Sequence, residues 1–226
     1  MVEYFGKEIL LKLDELVKPS HTALVVVDVQ NDFVIREGKL ACPEMVSSLK
    51  SLIDAARRVG VPVIYLQDTL LPRRFSDSAP YFRKYMRMMG SEDPKRVKDE
   101  AVYGTWGHEI IEEIKPFPEE TRIIKYRSDG FIGTGLDLIL RSNQIKTTIM
   151  TGVVTGGCVK ATVTSAANEY FVVVVEDCVW DESKDRHDNA LLEMRRRHDV
   201  VKAQDIIALW RSEEHLESHD PSPKSN

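Results

Sequence analysis

Short runs of β-branched and aliphatic residues recur along the chain, separated by segments of helical period, and this alternation restricts the fold more than any other feature. Thr22–Val29 (TALVVVDV) is apolar almost throughout, the composition of a strand covered on both faces. Pro62–Leu66 (PVIYL), Arg122–Lys125, Thr147–Thr151 (TTIMT) and Phe171–Val175 (FVVVV) read the same way, with Val200 and Val201 as a short last strand. Between the first two runs, Pro43–Val59 places Met45, Val46, Leu49, Leu52, Ile53, Ala56 and Val59 on one helical face. Pro43 suits the first turn and Gly60 the stop. Leu136–Asn143, Val159–Tyr170, Lys184–His198 and Ala203–Trp210 are the other expected helices. Strands alternating with helices predict an α/β fold, three layers deep, with a parallel sheet between helices.

At 226 residues the chain has the length of one α/β domain and core enough to need neither disulfides nor a structural metal. Residues 1–211 are expected to form that domain, and the polar stretch 212–226 (SEEHLESHDPSPKSN) a mobile tail. Gln67–Gly104, with three prolines, basic clusters and several aromatics, interrupts the alternation; a long irregular segment of this kind is a functional lid or disordered. Basic residues number 31 against 36 acidic ones, a formal charge of −5 that disfavours a nucleic-acid partner. No apolar run is long enough for a membrane span, and the charged N-terminus does not read as a signal peptide, so a cytoplasmic protein is expected. Three cysteines do not make a disulfide framework. Cys42 and Cys178 read as small buried hydrophobes.

Ligands of open parallel sheets bind beyond the C-terminal ends of the strands. Three reactive residues fall at such ends. Asp28 closes the first strand, Lys125 closes the third, and Cys158 follows the fourth after the turn Gly152–Gly157, at the start of a helix. Each has a plain alternative: a capping aspartate, a solvated lysine, a packed cysteine. Together they make a reaction centre. A helix N-terminus and a nearby ammonium favour thiolate, and a carboxylate within reach takes the thiol proton and returns it to a leaving amine. The glycine-bearing turn can aim backbone N–H groups at one point, as an oxyanion requires.

The segments TALVVVDVQNDF, IIKYRSDGFIGTGLDLILRS and TTIMTGVVTGGCVKATVTSAANEYFVVVVEDC resemble the isochorismatase-like cysteine hydrolases, over roughly Thr22–Trp210. The resemblance implies a six-stranded parallel sheet and a triad of Asp28, Lys125 and the nucleophile Cys158. It also implies a cis peptide at Val153–Val154, and an oxyanion hole made by the backbone N–H groups of Val154 and Cys158. Members that cleave a vinyl ether lack the cysteine, so Cys158 implies another reaction. Nicotinamidases carry a metal site of the form D-x-H after the second strand; here Gln67–Arg74 keeps Asp68 but has no histidine, so neither a catalytic metal nor another cofactor is expected.

The segments around Lys125–Arg141 and Tyr170–Asp177 look most like ureidoacrylate, N-carbamoyl and biuret-type amidohydrolases. The expected partner is a small linear amide or ureido substrate, cleaved through a thioester. A nicotinamidase-like ring amidase and a non-catalytic member are the alternatives. Family members often carry Asn or Asp and an apolar residue before the cysteine; Gly156 and Gly157 stand here, which predicts a looser turn with no side chain near the substrate. Phe33 and Trp106 are the expected pocket walls. The resemblance further implies a homo-oligomer, a dimer or a tetramer.

Overall fold

In the computed structural model, which describes residues 1–217, the chain opens with a hairpin of β1 (Val2–Tyr4) and β2 (Lys7–Ile9), followed by α1 (Leu13–Leu16). β3 (Thr22–Val27) leads to α2 (Asn31–Val34), a second small hairpin of β4 (Ile35–Arg36) and β5 (Lys39–Leu40), and the long α3 (Pro43–Arg58). β6 (Val63–Asp68), α4 (Ala79–Met88), β7 (Thr121–Lys125) and α5 (Leu136–Ser142) come next. β8 (Thr147–Val153), α6 (Lys160–Ala166), β9 (Phe171–Trp180), α7 (Lys184–Arg195), β10 (Asp199–Val201) and α8 (Ala203–Glu217) complete the described chain.

Six strands make one sheet in the order β10-β9-β8-β3-β6-β7, and every pairing in it is parallel. β3 is buried along its whole length because both its edges and both its faces are covered. Its side chains obey the period of two. Leu24 and Val26 enter the core shared with α3 and α8, where Leu49, Ile53, Ile206 and Trp210 meet them. Ala23, Val25 and Val27 enter the opposite core with Leu136, Leu140, Val163 and Met194 from α5, α6 and α7. The helical face read from Pro43–Val59 is the buried one, and Gly60 ends it with φ +73°. The three-layer αβα architecture with a six-stranded parallel sheet is therefore present as expected.

The chain builds outward from β3 through β6 to β7, then returns to β8 on the other side of β3. The sheet reverses its order between β3 and β8, and a crevice opens beyond their C-terminal ends. Gly152 sits at that junction with φ +106°, paired with Val27; a Cβ there would run into the Val27 backbone. Close approach of the two strand ends therefore requires glycine.

Several elements differ from the sequence reading. The helix expected over Val159–Tyr170 is only Lys160–Ala166, preceded by a wide irregular turn over Thr155–Val159. β9 runs to Trp180, because its second half pairs again with the end of β8 beyond a bulge. Gln67–Gly104 is not uniformly irregular: α4 lies within it, capped by Ser78, whose hydroxyl accepts from the Tyr81 N–H, with Pro80 in the first turn. α8 continues through Glu217, so the first residues of the expected tail are helical; residues 218–226 lie outside the described residues. Among the described residues no helix is long and apolar enough to cross a membrane.

Candidate active site

Asp28 follows β3 in the left-handed region, φ +52°, a conformation unusual for a residue with a Cβ. The strand's own hydrogen bonding holds it there: its N–H still donates to the Leu66 carbonyl, and its carbonyl accepts from the Gln30 N–H. The side chain is thereby turned off the core face and into the crevice, fully buried. Asp28 Oδ1 accepts from the Asp68 N–H at 3.0 Å. Oδ2 is 2.8 Å from the Lys125 ammonium but receives no well-aligned hydrogen bond, which leaves a lone pair for a proton.

Lys125, the last residue of β7, is 0% exposed and reaches back under β6, whose own last residue, Asp68, is its strand partner. Its Nζ donates to Asp68 Oδ1 at 3.2 Å and to the Arg127 carbonyl at 3.1 Å, and lies 3.5 Å from Cys158 Sγ. Asp28, Lys125 and Cys158, distant in sequence, thus meet around one ammonium. Burial alone would lower Lys125; the charges of Asp28, Cys158 and Asp68 outweigh it and hold the ammonium well above the ordinary lysine range.

Burial pushes the Asp28 carboxyl up from 3.8 to about 7, against the pull of Lys125. The Cys158 thiol also goes up, well above its ordinary value: burial dominates, opposed by the Lys125 ammonium and reinforced by Asp28 and Asp68. Burial therefore opposes the thiolate expected from a helix N-terminus. The regular helix begins two residues later and spans only Lys160–Ala166, so a helix end contributes little at Cys158. A thiol whose ionisation burial opposes thus lies beside a buried carboxylate of raised proton affinity, the two groups that a proton transfer coupled to S–C bond formation needs.

The turn before Cys158 is tightly held, contrary to the loose turn read from its glycines. The Thr155 hydroxyl is 2.9 Å from His187 Nδ1, the Gly156 N–H donates to Asp181 Oδ2 at 3.1 Å, and the Gly157 N–H donates to the Val154 carbonyl at 2.9 Å. Asp181 is itself fixed by Arg186. A Cβ on Gly156 would collide with Arg186, and one on Gly157 would come 2.8 Å from Val154 Cγ2, so both glycines answer to crowding. The peptide Val153–Val154 is cis, as the family resemblance implies. Thr162 accepts from the Gly130 N–H and donates to the Cys158 carbonyl at 2.8 Å, tying the Cys158 backbone to the β7–α5 connection.

The segment Asp28–Phe33 has structural roles the sequence did not display. Gln30, fully buried, donates to the carbonyls of Asp68 and His108 and accepts from the Asp68 N–H. Asn31 donates to the Trp106 carbonyl at 2.7 Å, and Asp32 accepts from the Ala101 N–H at 2.8 Å. These side chains pin the far end of the 67–104 segment over the crevice. Polar residues beside Asp28 were the available signal; their partners, 38 to 78 positions away, were not.

A cavity of about 60 Å³, open to solvent, reaches Asp68 and is lined by Phe33, Tyr81, Tyr85 and Tyr126 among others. Phe33, expected as a pocket wall, is among the lining residues. Trp106, the other expected wall, is 65% exposed and is not among them; its carbonyl accepts from Asn31. Cys42 and Cys178 are buried, and burial pushes both thiols up, Cys42 to about 11.

The donors near Asp68 do not suit a divalent metal. One Asp68 oxygen faces the Lys125 ammonium, and the buried His108 has Nε2 2.9 Å from the Thr69 hydroxyl and Nδ1 3.3 Å from Gln67 Nε2. Among the described residues no three ligating side chains cluster.

Residues 22–205 match the model of the Isochorismatase domain. The ureidoacrylate amidohydrolase RutB of Rhizobium rhizogenes is 31% identical over 173 residues, 71% of this chain and 70% of that protein. The structure of N-carbamoylsarcosine amidase from Thermoplasma acidophilum superposes with a TM-score of 0.64 at 29% identity, covering 81% of this chain and 96% of that one. An isochorismatase-like hydrolase from Alkaliphilus metalliredigens gives 0.66 at 27% identity, covering 84% and 99%.

Proposed function

We propose, from the premise that the chain belongs to the isochorismatase family, that it is a cysteine-dependent amidohydrolase cleaving a C–N bond of a small ureido, carbamoyl or linear amide. The relatives named for ureidoacrylate and N-carbamoylsarcosine support a hydrolase of carbon–nitrogen bonds other than peptide bonds. The observation that carries the reading is the Lys125 ammonium, 2.8 Å from Asp28 and 3.5 Å from Cys158.

In this reading Cys158 Sγ attacks the carbonyl carbon while its proton passes to Asp28. The C=O π pair moves to oxygen, where the N–H groups of Val154 and Cys158 serve as the oxyanion hole. On collapse the C–N bond breaks and Asp28 returns the proton to the departing ammonia or amine, leaving a thioester on Cys158. Water, deprotonated by Asp28, attacks the thioester, and the thiol is regenerated. Lys125 keeps Asp28 ionised before each transfer and offsets the charge that passes through sulfur. No step requires a cofactor or metal. The cytoplasmic location and the homo-oligomer expected from the sequence belong to the same reading, the latter open to sedimentation analysis.

The test is ammonia release from a panel of ureidoacrylate, N-carbamoyl amino acids, biuret and linear amides, with nicotinamide as the ring comparison. Turnover of ureido or carbamoyl compounds is expected. Turnover of nicotinamide alone, or of none of the panel, contradicts the reading.

A further inference from the structure

The cavity wall is rich in charge, and most of that charge is matched. Asp68 faces Lys125, and Arg74 is paired with Asp77 at 3.0 Å and with Asp99. Glu100 is pushed up by burial. Lys98, also on the wall, forms no ion pair among the described residues but is exposed to solvent. Lys84, next to the wall residues Tyr81 and Tyr85 and not itself on the wall, is half-buried instead. On α4 it stands on the half-buried face with Tyr81 and Tyr85, while Arg83 and Arg87 point to solvent. Its Nζ lies 4.2 Å from the Tyr81 ring centre and 4.7 Å from that of Tyr85, and its one hydrogen bond is to the Ser128 hydroxyl at 2.8 Å. Among the described residues it forms no ion pair. The Tyr81 and Tyr85 hydroxyls are 3.0 Å apart, and both residues belong to the cavity wall. Ser128 follows Arg127, whose carbonyl accepts from the Lys125 ammonium, so the hydrogen bond to Ser128 brings Lys84 to the β7 end of the reaction centre.

A half-buried ammonium held on two aromatic faces with no counter-ion is incompletely compensated. An anion arriving from the cavity completes it with charge-assisted hydrogen bonds. Resting on the amidohydrolase reading, we propose that Lys84, flanked by Tyr81, Tyr85 and Ser128, is the specificity-determining receptor for a carboxylate on the substrate, holding that end while Cys158 meets the ureido or amide carbonyl. The arginine-rich look of the segment pointed elsewhere: Arg74 is consumed by Asp77 and Asp99, and the exposed Arg83 and Arg87 lie on the far side of α4.

The experiment compares ureidoacrylate with its uncharged methyl ester, using wild type, Lys84→Met and Lys84→Arg, each checked for an unchanged melting transition. For the carboxylate, Lys84→Met is expected to raise KM by about tenfold or more, with kcat reduced far less, and Lys84→Arg to recover part of the loss. For the ester, wild type and Lys84→Met should agree within about twofold. Titration calorimetry of 3-ureidopropionate into Cys158→Ser protein, with and without Lys84→Met, reads the same contact without turnover; an affinity loss of similar size is expected. Equal losses on acid and ester mean that Lys84 serves the thiol or the fold, and overturn the proposal, as does an unchanged affinity. Failure of wild type to hydrolyse either compound counts against the amidohydrolase reading alone, because the calorimetric comparison still decides for or against Lys84.

Discussion

Replacing Asp28 by asparagine keeps the shape of the side chain and removes its charge. The amide oxygen of the Asp28→Asn side chain can still accept from the Asp68 N–H, but the contact with Lys125 at 2.8 Å loses its ionic character. An ion pair at that distance is worth about 6 kcal/mol before desolvation, at an effective dielectric of about 20. Lys125 stays buried and keeps Asp68 at 3.2 Å. Burial opposes the charged carboxyl more than Lys125 supports it, so the neutral amide offsets the lost pair, and the melting temperature above pH 7 is expected to change by only a few degrees. Activity should fall steeply, by about 10²–10⁴-fold in kcat, because the proton acceptor is gone. The pH dependence separates the two effects. Asp28 must be ionised to accept the thiol proton, and its carboxyl is raised to about 7, so kcat/KM of the wild type should climb through pH 7. Lys125 and Cys158 are both held above their ordinary values, so no alkaline fall should follow near neutrality. Stability runs the other way. A carboxyl raised from 3.8 to about 7 on folding binds its proton more tightly in the native state, so its contribution to stability is lost as pH rises across that window. In Asp28→Asn both slopes should vanish. Ammonia release and thermal melts between pH 5 and 9 measure both. A variant within tenfold of wild type, or one that keeps the limb near pH 7, refutes the role given to Asp28.

Gly152→Ala should destabilise the fold by at least about 3 kcal/mol, since positive φ and collision with the Val27 backbone add together; denaturant titration checks it, and a cost under about 1 kcal/mol contradicts the packing described for the β3–β8 junction. Exhaustive chelation should leave turnover unchanged, because Asp68 faces an ammonium instead of a set of metal donors; activity lost to chelator and restored by a divalent ion contradicts that reading.

The strands were legible because a parallel strand buried on both faces has little choice of composition: TALVVV and FVVVV admit few other readings. With the strands in place, the rule that ligands gather beyond strand ends was enough to single out Asp28, Lys125 and Cys158. α4 was hidden because Pro80 and the basic cluster look irregular, although a serine cap followed by proline in the first turn is a helix-start signal. With α4 missed, the period that sets Tyr81, Lys84 and Tyr85 on one face and Arg83 and Arg87 on the other was missed too. Trp106 misled because aromatic character says nothing of direction; its backbone turns inward and its ring outward. The raised thiol at Cys158 was beyond the sequence because it depends on how deeply the crevice is buried and on the carboxylates gathered there.

Intact-protein mass spectrometry after acid quench tests the thioester on Cys158 most directly. Wild type mixed with a ureido or carbamoyl substrate on the millisecond scale should carry one added acyl mass, localised by digestion to the peptide containing Cys158. The adduct should decay at the rate of product release and be absent in Cys158→Ala, which should fold but not turn over. Turnover by Cys158→Ala, or steady release of ammonia by wild type with no adduct on that peptide at any time, would contradict the account.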